Sequence, residues 1–280
     1  MNRDDINSFI ENSLKEDIGS GDHTTLATIN KNEINKAHIL VKQNGIIAGV
    51  ELAKRIFKKV DKKIKLTQYF EDGEKVNEGD IIFKIIGSAH SILKSERLIL
   101  NCMQRMSSIA SHTNDICQLL KNTKTKILDT RKTTPLNRII EKWAVRIGGG
   151  INHRFGLYDM IMIKDNHIDY CGGISQAIKK TKIYLKQNNL NLDIVVETRN
   201  IKEIKEVINE GGITRILLDN FNFDDTRNAV KIIDNKFETE SSGGITETNI
   251  LEYAKCGVDY ISLGALTHSI KNFDLSLKAK

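Results

Sequence analysis

Between residues 126 and 263, short strand-like apolar runs alternate with helical segments, and no other feature limits the possible folds as much. The runs fall at 126–129, 160–163, 193–196, 215–218, 236–239 and 258–263. Runs this short read as strands of a parallel sheet covered by helices. Helical spacing predicts helices at 201–210, 224–233 and 247–254, the last with Thr246 as N-cap and Gly257 just past its end. Right-handed crossovers between parallel strands lead either to a barrel or to an open doubly wound sheet. No G-x-G-x-x-G follows the first run, which counts against a dinucleotide-binding sheet. The expectation is an α/β barrel with fewer units than the usual count of about eight.

The first part of the chain reads differently. Ile6, Phe9, Ile10 and Leu14 predict a helix over 4–17, and strand-like runs follow at 38–41 and 45–50. A helix through Leu52, Ile56, Phe57 and Val60 comes next. Residues 70–85 resemble the turn-and-strand repeat of a biotinyl or lipoyl carrier but lack the exposed lysine in a tight turn, so they read as scaffold. A long helix is predicted over 91–121 from Ile92, Leu93, Leu98, Ile99, Met103 and Met106, with Arg105 just before Ser107-Ser108.

Composition narrows the function. The net charge of +6 favours anionic partners, yet the basic residues are spread among acidic ones, without a basic tail or aromatics interleaved on a basic strand. That excludes the usual single-strand nucleic-acid platform. Small anionic substrates fit better. Cys102, Cys117, Cys171 and Cys256 form no C-x-x-C pair and read as free thiols of a reducing compartment. No apolar run reaches the roughly 20 residues needed to span a bilayer, and the acidic amphipathic start is unlike a signal peptide. A cytoplasmic protein that binds neither membrane nor nucleic acid is expected.

Cations concentrate at 130–167, where Arg131, Lys132, Arg138, Lys142, Arg146, His153, Arg154 and Lys164 surround Gly148, Gly149 and Gly150. A solvated basic face is the bland explanation. Against it, the run Met160-Ile161-Met162-Ile163 reads as a buried strand delivering Lys164, and guanidinium forks grip carboxylates and phosphates in pairs. Arg138, Lys142 and Arg146 recur every four residues and read as an outer or supporting helix face.

Chemistry in parallel barrels is carried at the carboxyl ends of the strands. There the runs end in Thr130-Arg131-Lys132, Lys164-Asp165-Asn166-His167, Glu197-Thr198-Arg199, Asp219-Asn220, Ser241-Ser242-Gly243-Gly244 and Gly264-Ala265. Glu197 and Asp219 are hard oxygen donors suited to Mg²⁺, or ion-pair partners for Lys164 and Arg131. Ser242-Gly243-Gly244 ahead of the predicted helix start at Thr246 offers backbone N–H groups to a phosphate.

These residues carry a resemblance. EDIGSGDHTT, SERLILNCMQRMSSIAS, TRKTTP…GGGINHRFGLYDMIMIKDNH, VVETRN, ILLDN, ESSGGI and YISLGALTHS span nearly the whole chain. The sequence resembles the quinolinate phosphoribosyltransferases, the decarboxylating nicotinate-nucleotide pyrophosphorylases of NAD synthesis. The resemblance implies an amino-terminal α/β sandwich (residues 1–110, with 268–280 packing on it) joined to an open, incomplete parallel α/β barrel (111–267). It implies transfer of phosphoribosyl from phosphoribosyl pyrophosphate to quinolinate with Mg²⁺, giving nicotinate mononucleotide, pyrophosphate and CO₂. The quinolinate pocket would take Arg131, Lys132, His153, Arg154 and Lys164, with Thr130 beside them and Arg105 contributed by the neighbouring subunit of a homodimer or larger homo-oligomer. Glu197 and Asp219 match the acidic pair on the ribose and metal side, and Ser242, Gly243, Gly244 and Gly264 the 5′-phosphate loops. One departure is Ser108, where the family commonly has glycine.

Other readings stay open at this point. Lys164 at the end of a strand could be a Schiff-base lysine of a barrel aldolase. A paralogous transferase group of molybdate operons shares the architecture, and a non-catalytic phosphosugar-binding or carrier-like module is a third possibility.

Overall fold

The computed structural model describes residues 3–279, which divide into two compact units. The first is discontinuous and contains residues 3–114, 133–149 and 265–279; the second contains 115–132 and 150–264. The two sequence boundaries drawn after 110 and 267 thus become four crossings, after Asn114, Lys132, Gly149 and Gly264, because residues 133–149 also belong with the first unit.

In chain order the elements are α1 (Arg3–Ile18), α2 (His23–Thr28), β1 (Ile34–Val41), β2 (Gly45–Ile46), α3 (Val50–Val60), β3 (Lys65–Gln68), β4 (Lys75–Val76), β5 (Ile81–Ser88) and α4 (Ala89–Leu119). Then come β6 (Lys126–Leu128), α5 (Arg138–Ile147), β7 (Ile161–Ile163), α6 (Asp165–Cys171), α7 (Ile174–Gln187), β8 (Ile194–Thr198), α8 (Ile201–Glu210), β9 (Arg215–Asp219) and α9 (Phe223–Ile233). The chain ends with β10 (Glu238–Ser242), α10 (Ile250–Lys255), β11 (Tyr260–Ser262), α11 (Ala265–His268) and β12 (Leu275–Ala279).

The first unit is a four-stranded antiparallel sheet in the order β12-β1-β5-β3, with helices of the same unit. Ala37, Ile39 and Val41 alternate inward along β1, as a sheet buried on one face requires. The long helix α4 buries Ile92, Ile99, Met103, Met106, Ile109, Ala110 and Ile116, at the spacing of one helix face.

The segment expected as a strand over 45–50 pairs only at Gly45–Ile46. Ile47 hydrogen-bonds through its backbone to Gly73 and Glu74, and α4 meets the residues on either side of it. Ser111 Oγ accepts from Ile46 N at 2.8 Å and Ser107 Oγ from Ala48 N at 2.9 Å, and both hydroxyls donate back to the carbonyls of the same residues. Serines four apart on one helix face thus replace a strand partner, since buried backbone groups must be paired.

Gly148, the first of the three glycines among the cations, answers a packing need. A Cβ on Gly148 would lie 2.4 Å from the Ala110 carbonyl oxygen, so this glycine lets the end of α5 touch α4. Lys142 on α5 is 2% exposed, which corrects its reading as an outer face; Arg146 is exposed.

The second unit is an all-parallel sheet in the order β6-β11-β10-β9-β8-β7. The first strand pairs with the last, and each other strand pairs with its successor. Helices α7, α8, α9 and α10 contact one another in sequence, so the winding never reverses as it does in a doubly wound sheet. The result is an open α/β barrel of six strands. Its seam lies between β6 and β7, where Ile151 makes a parallel bridge to Leu128. The helix predicted from Thr246 begins at Ile250; Thr246 instead opens a turn closed by Asn249.

Helix α3 in the first unit has a remote cap. Its N-cap residue, Gly49, has φ of 88° and no side chain, and the Asp72 carboxylate accepts from Val50 N at 2.9 Å and Glu51 N at 3.2 Å. Burial pushes the Asp72 carboxyl above its ordinary range, against backbone N–H groups that favour the charged form. Asp72→Ala should cost about 1–2 kcal/mol in denaturant unfolding. Asp72→Asn, which keeps an acceptor and buries no charge, should cost less than half of that.

Candidate active site

The register of the barrel sheet decides which residues share its mouth. Ser242 pairs with Asp219, Glu197 with Leu217, Met162 with Val195, Ser262 with Leu128 and Glu240 with Tyr260. Side chains alternate along each strand, so Glu197, Asp219 and Ser242 lie on one side of the sheet. Thr130, Lys164 and Gly264, just past their strand ends, continue the same parity. The opposite side carries Ile127, Ile163, Ile194, Val196, Ile216, Leu218 and Ile261, all buried. One sheet face is thus apolar and the other ends in a ring of polar groups at the carboxyl ends.

Within the ring, Lys164 Nζ donates to Glu197 Oε2 at 3.2 Å. The Lys164 side chain is 45% exposed and that of Glu197 10%. The strand before Lys164 is half-buried at Ile161 and Met162 rather than fully buried as expected. Asp219 is oriented from two sides, accepting from Ser242 Oγ at 2.9 Å and from Asn220 Nδ2 at 2.7 Å. Asn220 has φ of 56° and Gly243 φ of 85°. A Cβ on Gly243 would fall 2.1 Å from Asn220 Oδ1, so these two turns fit only with glycine at 243.

The cations of the opening motif are placed by carboxylates that sequence reading passed over. Asp129, fully buried at the end of β6, accepts from His153 N at 2.8 Å through Oδ1 and from Asn152 Nδ2 at 2.6 Å through Oδ2. Its own N–H donates to the Ile151 carbonyl at 3.2 Å. These bonds tie residues 151–153 to β6 across the seam. Asp159 closes the next loop by accepting from Phe155 N at 2.6 Å and Gly156 N at 2.9 Å. Thr130 Oγ1 accepts from Lys132 N at 3.0 Å and bends the chain at Arg131.

Arg154, 9% exposed, follows directly. Burial, then the neighbouring Arg131 charge, pulls its guanidinium below the ordinary value, and Asp159 opposes both. Like cations held together in a partly buried place repel until an anion lies between them. A ligand with two adjacent negative groups relieves that repulsion better than a single charge does.

Below the ring the barrel interior is ionic. Arg215 donates from Nη1 to Glu240 at 2.9 Å and from Nε and Nη2 to Glu238 at 3.0 and 2.9 Å, with its guanidinium 4.0 Å over the Tyr260 ring. Glu240 Oε2 also lies 3.3 Å from His153 Nε2. Burial alone would raise the Glu240 carboxyl; the neighbouring His153 ring and the Arg215 charge and hydrogen bond outweigh it and hold the group below the usual carboxylate range.

In the first unit, Arg105 donates from Nε and Nη2 to Glu141 Oε1 at 3.1 and 2.9 Å, and from Nη2 to the Thr267 carbonyl. Glu141, fully buried, accepts from Thr134 N with its second oxygen at 3.2 Å. Arg105 and the barrel residues belong to different units of the chain. Among the described residues, no three His, Cys, Asp or Glu side chains form a metal-holding group, and no helix is long and apolar enough to cross a membrane.

A parallel barrel whose carboxyl-end ring sets cations beside two oriented carboxylates is an enzyme mouth for a multiply anionic substrate. The chain belongs to the quinolinate phosphoribosyl transferase family: the model of that family's C-terminal domain matches residues 109–278 and that of its N-terminal domain residues 22–107. It is 44% identical to quinolinate phosphoribosyltransferase [decarboxylating] 2b, mitochondrial, of Nicotiana tabacum, over 98% of this chain and 82% of that protein. A probable nicotinate-nucleotide pyrophosphorylase [carboxylating] of Bacillus subtilis is 40% identical over 99% of this chain and 94% of its own length. The solved nicotinate-nucleotide pyrophosphorylase from Francisella tularensis superposes with a TM-score of 0.92 at 38% identity, covering 100% of this chain and 98% of that one.

Acid unfolding tests the buried ionic interior. Because the folded Glu240 carboxyl is held low, its stabilisation is present above the unfolded carboxylate value of about 4.3 and is lost as pH falls through the folded value. Thermal unfolding of Glu240→Gln should therefore show a flatter loss of stability below pH about 4.3 than the parent. Parallel acid limbs would contradict the assignment.

Proposed function

We infer that this chain transfers the phosphoribosyl group of phosphoribosyl pyrophosphate to quinolinate with loss of CO₂, giving nicotinate mononucleotide and pyrophosphate, a step of NAD biosynthesis. Membership of the family supports it, and the observation that carries it is the pairing of Arg131 with buried Arg154, in the unit whose strand ends also carry Lys164. Two adjacent carboxylates answer that arrangement. The aldolase reading of Lys164 and the molybdate-operon alternative find no counterpart in the relatives, whose names match the transferase.

In this reading Arg131, Lys132, Arg154 and Lys164 hold the dicarboxylate, with His153 and Thr130 behind them. The ring nitrogen of quinolinate attacks the anomeric carbon of the donor. The bond from that carbon to the pyrophosphate oxygen breaks, and its electron pair leaves with pyrophosphate. The protein supplies no covalent nucleophile; its work is placement and charge. Glu197 and Asp219 face the ribose, where positive charge develops, and their carboxylates offset it. The ring is then a pyridinium, so the bond from the adjacent ring carbon to its carboxylate can break toward the ring. CO₂ departs, the ring carbon takes a proton, and the Lys164 cation steadies the carbanionic charge before that proton arrives.

Ser242, Gly243, Gly244 and Gly264 would receive the 5′-phosphate through backbone N–H groups. Mg²⁺ fits the donor set: two carboxylates facing one mouth suit an ion that keeps waters and takes phosphate oxygens from its substrate. Glu197 and Asp219 would hold it directly or through water, and bound there it would neutralise pyrophosphate charge. A second copy of the chain belongs to this reading, with Arg105 entering the neighbouring copy's pocket. Glu141 occupies its Nε and Nη2 side, which presets the guanidinium and leaves Nη1 donors for an anion.

The test is pyrophosphate release measured with both substrates. Release should require quinolinate and the phosphoribosyl donor together and yield equimolar CO₂; turnover of nicotinate in place of quinolinate would sink the assignment. Lys164→Ala should lower kcat by about 100-fold or more, and normal turnover in that variant would remove Lys164 from the mechanism. Borohydride should trap no carbonyl adduct on it.

A further inference from the structure

The barrel interior contains a fully buried carboxylate, that of Glu240, to which neither the motif nor the chemistry above gives a part. Arg215 is its cationic partner, but Arg215 also binds Glu238 through two nitrogens. One guanidinium therefore faces two carboxylates. A buried charge left partly unbalanced is costly unless another group meets it, and His153 Nε2 is the other group, at 3.3 Å from the same oxygen, Oε2, that Arg215 reaches.

His153 is held on every side. Its N–H is bound by Asp129 at 2.8 Å, and its Nδ1 accepts from Arg154 N at 2.7 Å. Accepting there leaves the ring proton to Nε2, which lies 3.3 Å from Glu240 Oε2 without hydrogen-bond alignment. The side chain is 3% exposed. A histidine that only filled core space would not join an interior carboxylate to the backbone of the next arginine. Glu240 instead lies against the ring of His153, whose other nitrogen accepts from the backbone of Arg154, so the three residues follow one another from the barrel interior to that cation.

We propose that Glu240 is a positioning residue for the dicarboxylate subsite, acting through His153 to fix the backbone and hence the guanidinium of Arg154. The proposal rests on the functional reading above. Glu238 shares Arg215 and accepts from Tyr260 Oη at 3.3 Å, which makes it the comparison for Glu240.

Steady-state kinetics on the full chain separates this from a merely structural carboxylate. Glu240→Gln keeps the volume and removes the charge. It should raise KM for quinolinate roughly tenfold, with kcat and KM for the phosphoribosyl donor within about threefold of the parent. Glu238→Gln should leave KM for quinolinate unchanged. In the His153→Ala background, Glu240→Gln should add no further change. Where that background is too weak to saturate, the quinolinate-induced shift in unfolding temperature gives the same comparison.

Three results would overturn the proposal: equal effects on both substrates, an equal effect of Glu238→Gln, or multiplying effects of the His153 and Glu240 substitutions. A parent enzyme inactive on quinolinate would count against the functional reading. An active parent with an unaffected Glu240→Gln variant would count against this proposal alone.

Discussion

The Asp129 carboxylate is the interaction on which the site depends. A six-strand barrel of this order leaves an unpaired seam between β6 and β7, and β6 is only three residues long. Asp129 ends that strand and binds the backbone of His153 and the side chain of Asn152, while its own N–H takes the Ile151 carbonyl. The seam is thus covered by a segment fastened at three successive residues. A buried carboxylate satisfied by N–H donors fixes such a segment more firmly than side-chain packing does, because moving it leaves a charge unpaired. Everything that makes the segment useful follows from this fastening. His153 faces the interior, Arg154 follows it, and Asp159 closes the loop beyond.

A second constraint is electrostatic. Arg154 is buried beside the charge of Arg131, and Lys164 of the same ring is partnered by a single carboxylate contact at 3.2 Å. Holding those cations in place costs stability, which the Asp159 carboxylate offsets in part. The acidic side of the ring is arranged oppositely. Asp219 is held by Ser242 and Asn220, so the fold itself fixes the orientation of its carboxylate.

Strand alternation and the residues at strand ends were legible in the sequence because both have a spacing. The strand over 193–196 is observed as Ile194–Thr198 and that over 215–218 as Arg215–Asp219. The helix over 201–210 has the predicted bounds. Thr246 misled for a local reason: Asn249 lies three residues on and competes for the same turn, its side chain accepting from Thr246 N at 2.8 Å. The packing need of Gly148 was hidden for a tertiary one. Gly148 is small because a carbonyl of α4 lies where its Cβ would be, and no property of the local sequence distinguishes that need from a ligand loop.

Most of the residues that reading missed share one property. Asp129, Glu141 and Glu240 are carboxylates with partners far along the chain, whereas Asp159 closes a local loop. A cation cluster announces itself by density, since like charges gathered in a short stretch need a reason. Carboxylates that organise it need no density, because each answers one donor, and the fold rather than the sequence brings the pair together. Asp129 acts on residues 23 and 24 positions away, and Arg215 on Glu240 across 25. Glu240 alone left a trace. It is a charged residue inside a strand of a parallel sheet, where both faces are covered and charge is unfavourable without a partner. A charge at the centre of such a strand implies a partner in the interior, and in this barrel the partners are Arg215 and the histidine that precedes Arg154.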